Sequence, residues 1–300
     1  MPLVPDRSLS SDPLLARPRP APPRRPKPTK NPLKRYWRAI TDGDASWGRR
    51  IGVAFGIPAL VGLGAGIGAA LAFAIYAWSL LPETPDAYAL ARATQSQPTV
   101  VLDVRGERLT QFEPDFREWV PLDSIPVDLV DALIATEDRA FYQHGGVDVR
   151  RTVGAIWNTV RGRREGGSTV TQQLARNLFP DEIGNAGTLE RKTKEALAAR
   201  AIEDDHTKRE ILEAYLNTVP FLYNAFGVEM AARTYFGTHA PDLTVSQSAM
   251  LVAMLKGPSQ FNPVRHPEAA RERRNLVLRL MGEQGVIDLE DTRAFQAEPL

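Results

Sequence analysis

One stretch of this chain constrains its fold more than any other. Ile51 to Leu81 runs for 31 residues without Asp, Glu, Lys or Arg. A hydrocarbon core about 30 Å thick needs roughly 20 apolar residues in a helix, so the run is long enough to cross a bilayer. It is rich in Gly and Ala and contains Pro58, which membrane helices tolerate. Tyr76 and Trp78 lie near its far end, where aromatic anchors sit, and Arg49 and Arg50 precede its near end. The apolar region of a cleavable signal is about 7–15 residues long after a short basic stretch. This run is too long and starts too late. It reads as a single membrane anchor over residues 51–81.

Charge is divided by that run. Residues 1–50 hold twelve Lys/Arg against four Asp/Glu. The chain's net +1 then leaves −7 for residues 82–300. A basic side before the anchor places the N-terminus in the cytoplasm and residues 82–300 outside. The basic excess does not lie on a folded domain, which argues against nucleic-acid binding. Residues 1–33 contain ten of the 24 prolines, interleaved with Arg and Lys. The composition predicts a disordered Pro-rich tail over 1–50, with a docking arm for an acidic partner or anionic lipid as the functional alternative. There is no cysteine, so disulfides, thiol nucleophiles and Cys-ligated metals are excluded.

Residues 82–99 read as a linker and 100–300 as one folded domain. Val100–Asp103 and Arg108–Leu109 bracket Gly106, predicting a short strand and turn. From Pro126 onward the periodicity is helical, with Val130, Leu133, Ile134 and Phe141 near a 3.6 spacing. Thr207 with Glu210, and Thr244 with Gln247, have the spacing of capping boxes. Pro267 starts another helix that ends near Gly282 or Gly285. The domain is therefore expected to be mainly α-helical.

Three segments could carry chemistry. Glu137 continues the apolar stripe of its helix and has no cation at i±3 or i±4. Such a carboxylate is either satisfied by a distant donor or poised for function, and its spacing leaves both open. His144 nearby reads as structural, and no His/Asp/Glu cluster has metal-ligand spacing. Gly166-Gly167-Ser168-Thr169 runs into a helix start, and Thr169 with Gln172 can form a capping box. The alternative there is an anion site with Arg176 two turns in. Arg191, Lys192 and Glu195 form a third cluster, which in isolation reads as a solvated charge ladder.

Taken together and in order, these segments resemble the glycosyltransferase domain of the peptidoglycan polymerases. That family comprises monofunctional transglycosylases and the N-terminal half of class A penicillin-binding proteins. Glu137–Asp148 resembles the first family motif, Gly167–Asn177 the second and Arg191–Glu195 the third. Lys208–Asn217 resembles the fourth, and Arg273–Leu278 the fifth. The resemblance covers about residues 95–298. It implies a lysozyme-like helical fold with a smaller membrane-proximal lobe after a single transmembrane helix. It implies lipid II and the growing glycan strand as substrates, undecaprenyl diphosphate as the released product, and an inner-membrane location. Other cell-wall synthesis or division proteins are the partners it suggests.

The resemblance also assigns residues. Glu137 matches the general base, and Glu195 the second family glutamate. Ser168, Thr169, Gln172, Gln173, Arg176, Asn177, Arg191 and Lys192 match substrate-binding positions, with cations set for the diphosphate. No cofactor is obligatory, and no metal ligands are assigned. A divalent cation, Mg or Mn, near the diphosphate is compatible with the family. Four positions depart from the pattern. Arg176 replaces a Lys, Gly187 stands where an Arg is usual, and Leu222 and Asn224 occupy a loop that is often Gly-rich. A lysozyme-like glycan cleaver and a non-catalytic membrane-anchored glycan-binding scaffold are the alternatives. No Ser-x-x-Lys, Lys-Thr-Gly or Lys-Ser-Gly motif occurs, so these residues alone are not expected to bind β-lactams. Finally, Val153–Val160, with Ile156 and Trp157, reads either as a core helix or as an apolar face dipping into the membrane. Arg150, Arg151, Arg161, Arg163 and Arg164 flank it for lipid phosphates.

Overall fold

The computed structural model of the chain describes residues 31–41, 43, 46–81, 99–112, 116–162, 166–184 and 187–300. The chain divides into two compact units, residues 1–72 and 73–300. In the first, helix α1 spans Pro32–Thr41. The long apolar helix α2, Trp47–Leu80, starts there and continues into the second unit. It is 34 residues long, with a mean hydropathy of 2.0 in its most apolar window. At about 1.5 Å per residue it extends roughly 50 Å, more than a hydrocarbon core.

Structure begins earlier than the tail expectation over 1–50 allowed. The proline-dense stretch stops at Pro32, which opens α1, where a missing N–H costs nothing. The nine residues after it contain no proline or glycine and wind as a helix. Residues 1–30 of the expected tail and 82–98 of the expected linker lie outside the described residues.

The second unit opens with the hairpin of β1, Thr99–Leu102, and β2, Arg108–Phe112, turning at Gly106, whose φ is +80°. Among the described residues, the regular structure that follows is helical apart from three two-residue strands. These are β3, Phe116–Arg117; β4, Pro220–Phe221; and β5, Ala225–Phe226. β5 lies between the other two, parallel to β3 and antiparallel to β4.

Nine helices of eight or more residues follow β3 among the described residues. They are α3 (Val127–Glu137), α4 (Val149–Val160), α5 (Val170–Leu178) and α6 (Leu189–Asp205). Then come α7 (Lys208–Thr218), α8 (Gly227–Phe236), α9 (Val245–Leu255), α10 (Pro267–Glu283) and α11 (Leu289–Ala297). The expected capping boxes form at Thr169/Gln172, Thr207/Glu210 and Thr244/Gln247. Each satisfies two backbone N–H groups that a helix start leaves open.

α9 is the centre of the core. Ala249 to Met254 are all buried, as a helix apolar on every side must be. α3 and α10 pack against it, while α5 packs on α6 and α7. The segment after β3 is held by Asn217 of α7. Its side-chain oxygen accepts from the Val120 N–H at 2.8 Å, and its amide donates to the Val120 carbonyl at 2.8 Å. Arg274 of α10, 1% exposed, donates to the carbonyls of Gln296, Glu298 and Pro299. It thereby ties down the C-terminal end of α11.

Gly146 shows how closely the elements approach. Its φ is +82°, and a Cβ there would lie 2.7 Å from the Ala199 carbonyl oxygen and 2.9 Å from the Arg200 nitrogen, both α6 backbone. Gly237 is also left-handed, at φ +64°, but its surroundings are open. Gly237→Ala should therefore cost only about 1 kcal/mol of conformational strain. Gly146→Ala adds a backbone collision and should cost at least about 3 kcal/mol. Denaturant unfolding of the two variants should separate them in that order, and equal costs would show that α6 yields to the added methyl.

Candidate active site

Glu137 is the last residue of α3, and the helix breaks at Asp138, whose φ of −157° is extended. Two groups fix that break. The Arg151 guanidinium of α4 donates to the Glu137 carbonyl and, at 3.2 Å, to the Gly166 carbonyl. The Asp138 carboxylate, fully buried, accepts from the Val170 N–H of α5 at 3.0 Å and from His144 Nε2 at 3.0 and 3.1 Å. His144 is thus a structural partner, as expected. The end of one helix and the start of another are pinned to each other beside Glu137.

The Glu137 side chain is 13% exposed. Its Oε2 accepts from Gln173 Nε2 at 3.0 Å. Gln173 Oε1 in turn accepts from the Tyr215 hydroxyl at 3.0 Å. Burial pushes the Tyr215 hydroxyl far above its ordinary pKa, with the Glu137 charge adding and Arg176 opposing. Tyr215 therefore stays a donor at neutral pH and orients the Gln173 amide, so that its NH2 faces Glu137. On the other side, Arg273 of α10 stands 3.7 Å from Glu137 Oε1. Glu137 is thus neither a stranded core carboxylate nor half of a tight ion pair.

Glu137 faces a cavity of about 1060 Å³. Ser168, Gln173 and Arg176 share its lining, and so do Arg139, Arg150, Arg151, Lys256 and Arg273. Six cations therefore meet two carboxylates, and the second, Asp148, accepts the Arg151 N–H as the cap of α4. Of the eight expected binding residues, Ser168, Gln173 and Arg176 line this cavity. Thr169 and Gln172 are buried in their capping box, and Thr169 also donates to the Gly146 carbonyl at 2.6 Å. They shape the loop before α5 rather than its surface. Asn177 is half-buried in the last turn of α5.

The third cluster is not a solvated ladder. Glu195 is fully buried, and Arg191 donates to its Oε1. Lys192 Nζ bonds its Oε2 at 2.6 Å and the cavity-lining Ser168 hydroxyl at 2.7 Å. Lys192 thereby links α6 to the Gly-Gly segment. Each oxygen of Glu195 is thus held by a cation. Among the described residues no group of three or more His, Cys, Asp or Glu could hold a metal. Gly187, where an Arg is usual, is exposed with open space around it. Tyr223 and Asn224 both take positive φ, 60° and 59°. They form the tight turn between β4 and β5, closed by the Ala225 N–H bonding the Leu222 carbonyl.

Sequence reasoning missed Arg139, Lys256 and the cavity-facing position of Arg273. Arg273 carried a signal, since it begins the fifth motif-like segment; Lys256 carried none. Arg151, expected to meet lipid phosphates, is instead occupied by two backbone carbonyls. Arg163 and Arg164 lie outside the described residues.

A family model described as "Transglycosylase" matches residues 105–282. Penicillin-binding protein 1A of Aquifex aeolicus is 43% identical over 218 residues, covering 72% of this chain and 30% of that protein. Penicillin-binding protein 1B of Vibrio cholerae is 43% identical over 200 residues, covering 64% and 25%. Penicillin-binding protein 1A of Escherichia coli is 39% identical over 225 residues, covering 74% and 26%. The chain thus spans less than a third of the length of these relatives. A crystal structure of Penicillin-Binding Protein 1A from Haemophilus influenzae aligns with a TM-score of 0.39 at 25% identity, over 68% of this chain and 21% of that one. On the sequence matches alone, the chain belongs to the transglycosylase family, that of the peptidoglycan glycosyltransferase domains of class A penicillin-binding proteins.

Proposed function

We propose that this chain polymerises lipid II into β-1,4-linked glycan strands, with Glu137 as general base, and releases undecaprenyl diphosphate. One observation carries the reading: a nearly buried carboxylate, oriented by a fixed amide, opens onto a cavity whose lining carries six cations. The acceptor's 4-hydroxyl oxygen attacks the donor's anomeric carbon. As that C–O bond forms, the hydroxyl proton passes to Glu137, and the bond to the diphosphate breaks with its electron pair leaving on the diphosphate. An α-linked donor and a β-linked product require one in-line displacement with inversion. The leaving group is already a stable anion, so fixed cations serve it where a hydrolase would need a proton-donating acid. Arg176 and the Lys192–Ser168 pair stand ready for that charge, with buried Glu195 holding Lys192 and Arg191 in place.

The two groups of residues should fail in different ways. Glu137→Gln keeps shape and removes the base. Turnover of lipid II should fall by at least about 10²-fold, with substrate binding and melting temperature close to wild type. Lys192→Ala and Arg176→Ala each remove a charged donor. Each should weaken binding of lipid II and of phosphoglycolipid inhibitors by roughly tenfold or more. Near-normal polymerisation by Glu137→Gln would remove it from the base role. Wild-type binding by both cation variants would move the diphosphate elsewhere.

The same reading extends to the bilayer, because a polyprenyl substrate stays in the membrane. We take α2 as the anchor, with the N-terminus cytoplasmic and the catalytic unit outside, supported by the basic excess before the apolar run. α4 supplies a second contact. Val149, Val153 and Trp157, spaced four apart, form an exposed stripe, with Trp157 57% exposed, and Arg161 stacks 4.5 Å from the Trp157 ring centroid. This exposure favours the interfacial reading over the core reading. The side chains of Ile156 and Val160 lie outside the described residues. Val153→Ser with Trp157→Ser should therefore slow polymerisation in liposomes far more than in detergent, without lowering thermal stability. Unfolding of the double variant, or equal activity in both media, would contradict this.

A further inference from the structure

Helix α1 is too short and too polar to span anything, yet its sequence is sorted by face. At 100° per residue, Leu33, Tyr36, Trp37 and Ile40 fall on one side, and Lys34, Arg35 and Arg38 on the other. The helix is well defined at both ends. The Asn31 side-chain oxygen accepts from the Leu33 N–H at 2.9 Å, and the Thr41 hydroxyl donates to the Trp37 carbonyl at 2.9 Å. Its apolar side is not consumed by packing: Leu33 is 69% and Trp37 63% exposed, and no residue of α1 is buried.

The position of α1 is fixed by the helix it precedes. The Tyr36 hydroxyl donates to the Ala54 carbonyl at 3.2 Å. That carbonyl lies in the π-wound turn Gly52–Gly56 near the start of α2. Ala54 is about 6 Å along the helix axis beyond Arg50. Arg49 and Arg50 cannot sit in hydrocarbon and so mark the headgroup level of a spanning α2. The bond from Tyr36 therefore holds α1 at that level, where an amphipathic helix is stable with its apolar side toward the acyl chains and its cations among headgroups. Five residues, 42–46, join the two helices.

We propose that α1 is an interfacial helix that binds the anionic headgroups of the leaflet at the N-terminal end of α2. Its occupant is a lipid surface, recognised by Lys34, Arg35 and Arg38 together with the Leu33–Trp37–Ile40 face. This inference rests on the reading of α2 as a membrane span. It does not depend on the catalytic reading. It gives the basic sequence before the anchor a physical task beyond orientation: α1 would couple the height of the anchor in the bilayer to the charge of the leaflet.

The chain has no cysteine, so single-cysteine reporters can be placed at will. Leu33→Cys, Lys34→Cys and Leu63→Cys are made in the full chain, labelled with an environment-sensitive fluorophore and reconstituted into nanodiscs. Both faces of a nanodisc are open to aqueous iodide. Nanodiscs of phosphatidylcholine alone are compared with nanodiscs rich in phosphatidylglycerol. The expected result is that the label at 33 shifts to the blue and loses most of its iodide quenching in the anionic discs only, while the label at 34 stays quenched. Reversing Lys34, Arg35 and Arg38 to Glu should restore quenching at 33. A label at 33 that is quenched in anionic discs, or equally shielded in both compositions, overturns the proposal. So does shielding that survives charge reversal. The label at Leu63, midway along α2, separates the two readings. If it is quenched, the span itself fails; if it is shielded while 33 is quenched, only the interfacial helix fails.

Discussion

The candidate site depends on one buried charge, the carboxylate of Asp138. An unpaired carboxylate in a core is costly enough that it must find partners or lose its charge. Here it finds a backbone N–H at the start of α5, the His144 imidazole and, at 3.9 Å, the Arg151 guanidinium. Because it follows Glu137 directly, these bonds also fix the backbone that carries Glu137. The same residue therefore ends α3, docks the first turn of α5 and positions the wall of the cavity. The junction of the two helices could not shift far without breaking a buried, charge-assisted bond.

A second polar layer lies behind the first. Glu203 of α6 accepts from the Thr171 hydroxyl at 2.6 Å and pairs with Lys208 at 2.6 Å. Lys208 also donates to the His144 carbonyl at 2.7 Å and sits 4.3 Å from the centre of the Phe141 ring. The first, second and fourth motif-like segments thus meet through side chains that never touch the cavity. Charge-assisted bonds of this kind, buried away from water, hold the elements they join in register. That explains why residues distant in the chain accompany a handful of reactive groups.

Local rules made much of the helical fold legible. Three Thr-x-x-Gln/Glu boxes and a leading proline marked helix starts, since capping chemistry acts over three residues. Glu137 stood out because it placed a carboxylate in line with an apolar stripe. What failed to show was long-range. Nothing in the spacing pairs Arg273 with Glu137, Tyr215 with Gln173, or Asn217 with Val120. The charge ladder at Arg191–Glu195 reads as solvated because its local pairs are ordinary; burial against the Gly-Gly segment makes it a site. Thr169 and Gln172 appear as ligands by resemblance and as a buried cap by geometry. The helix at Pro32–Thr41 was hidden by a proline-rich average that ends at its first residue.

The central claim is that this cavity joins sugars rather than cutting them. Its most direct test is the full chain incubated with purified lipid II in a membrane-like medium, with products separated by glycan length. The account predicts a ladder of β-1,4-linked strands and one undecaprenyl diphosphate released per bond formed. Unchanged lipid II, or shortening of added glycan without new strands, would contradict it.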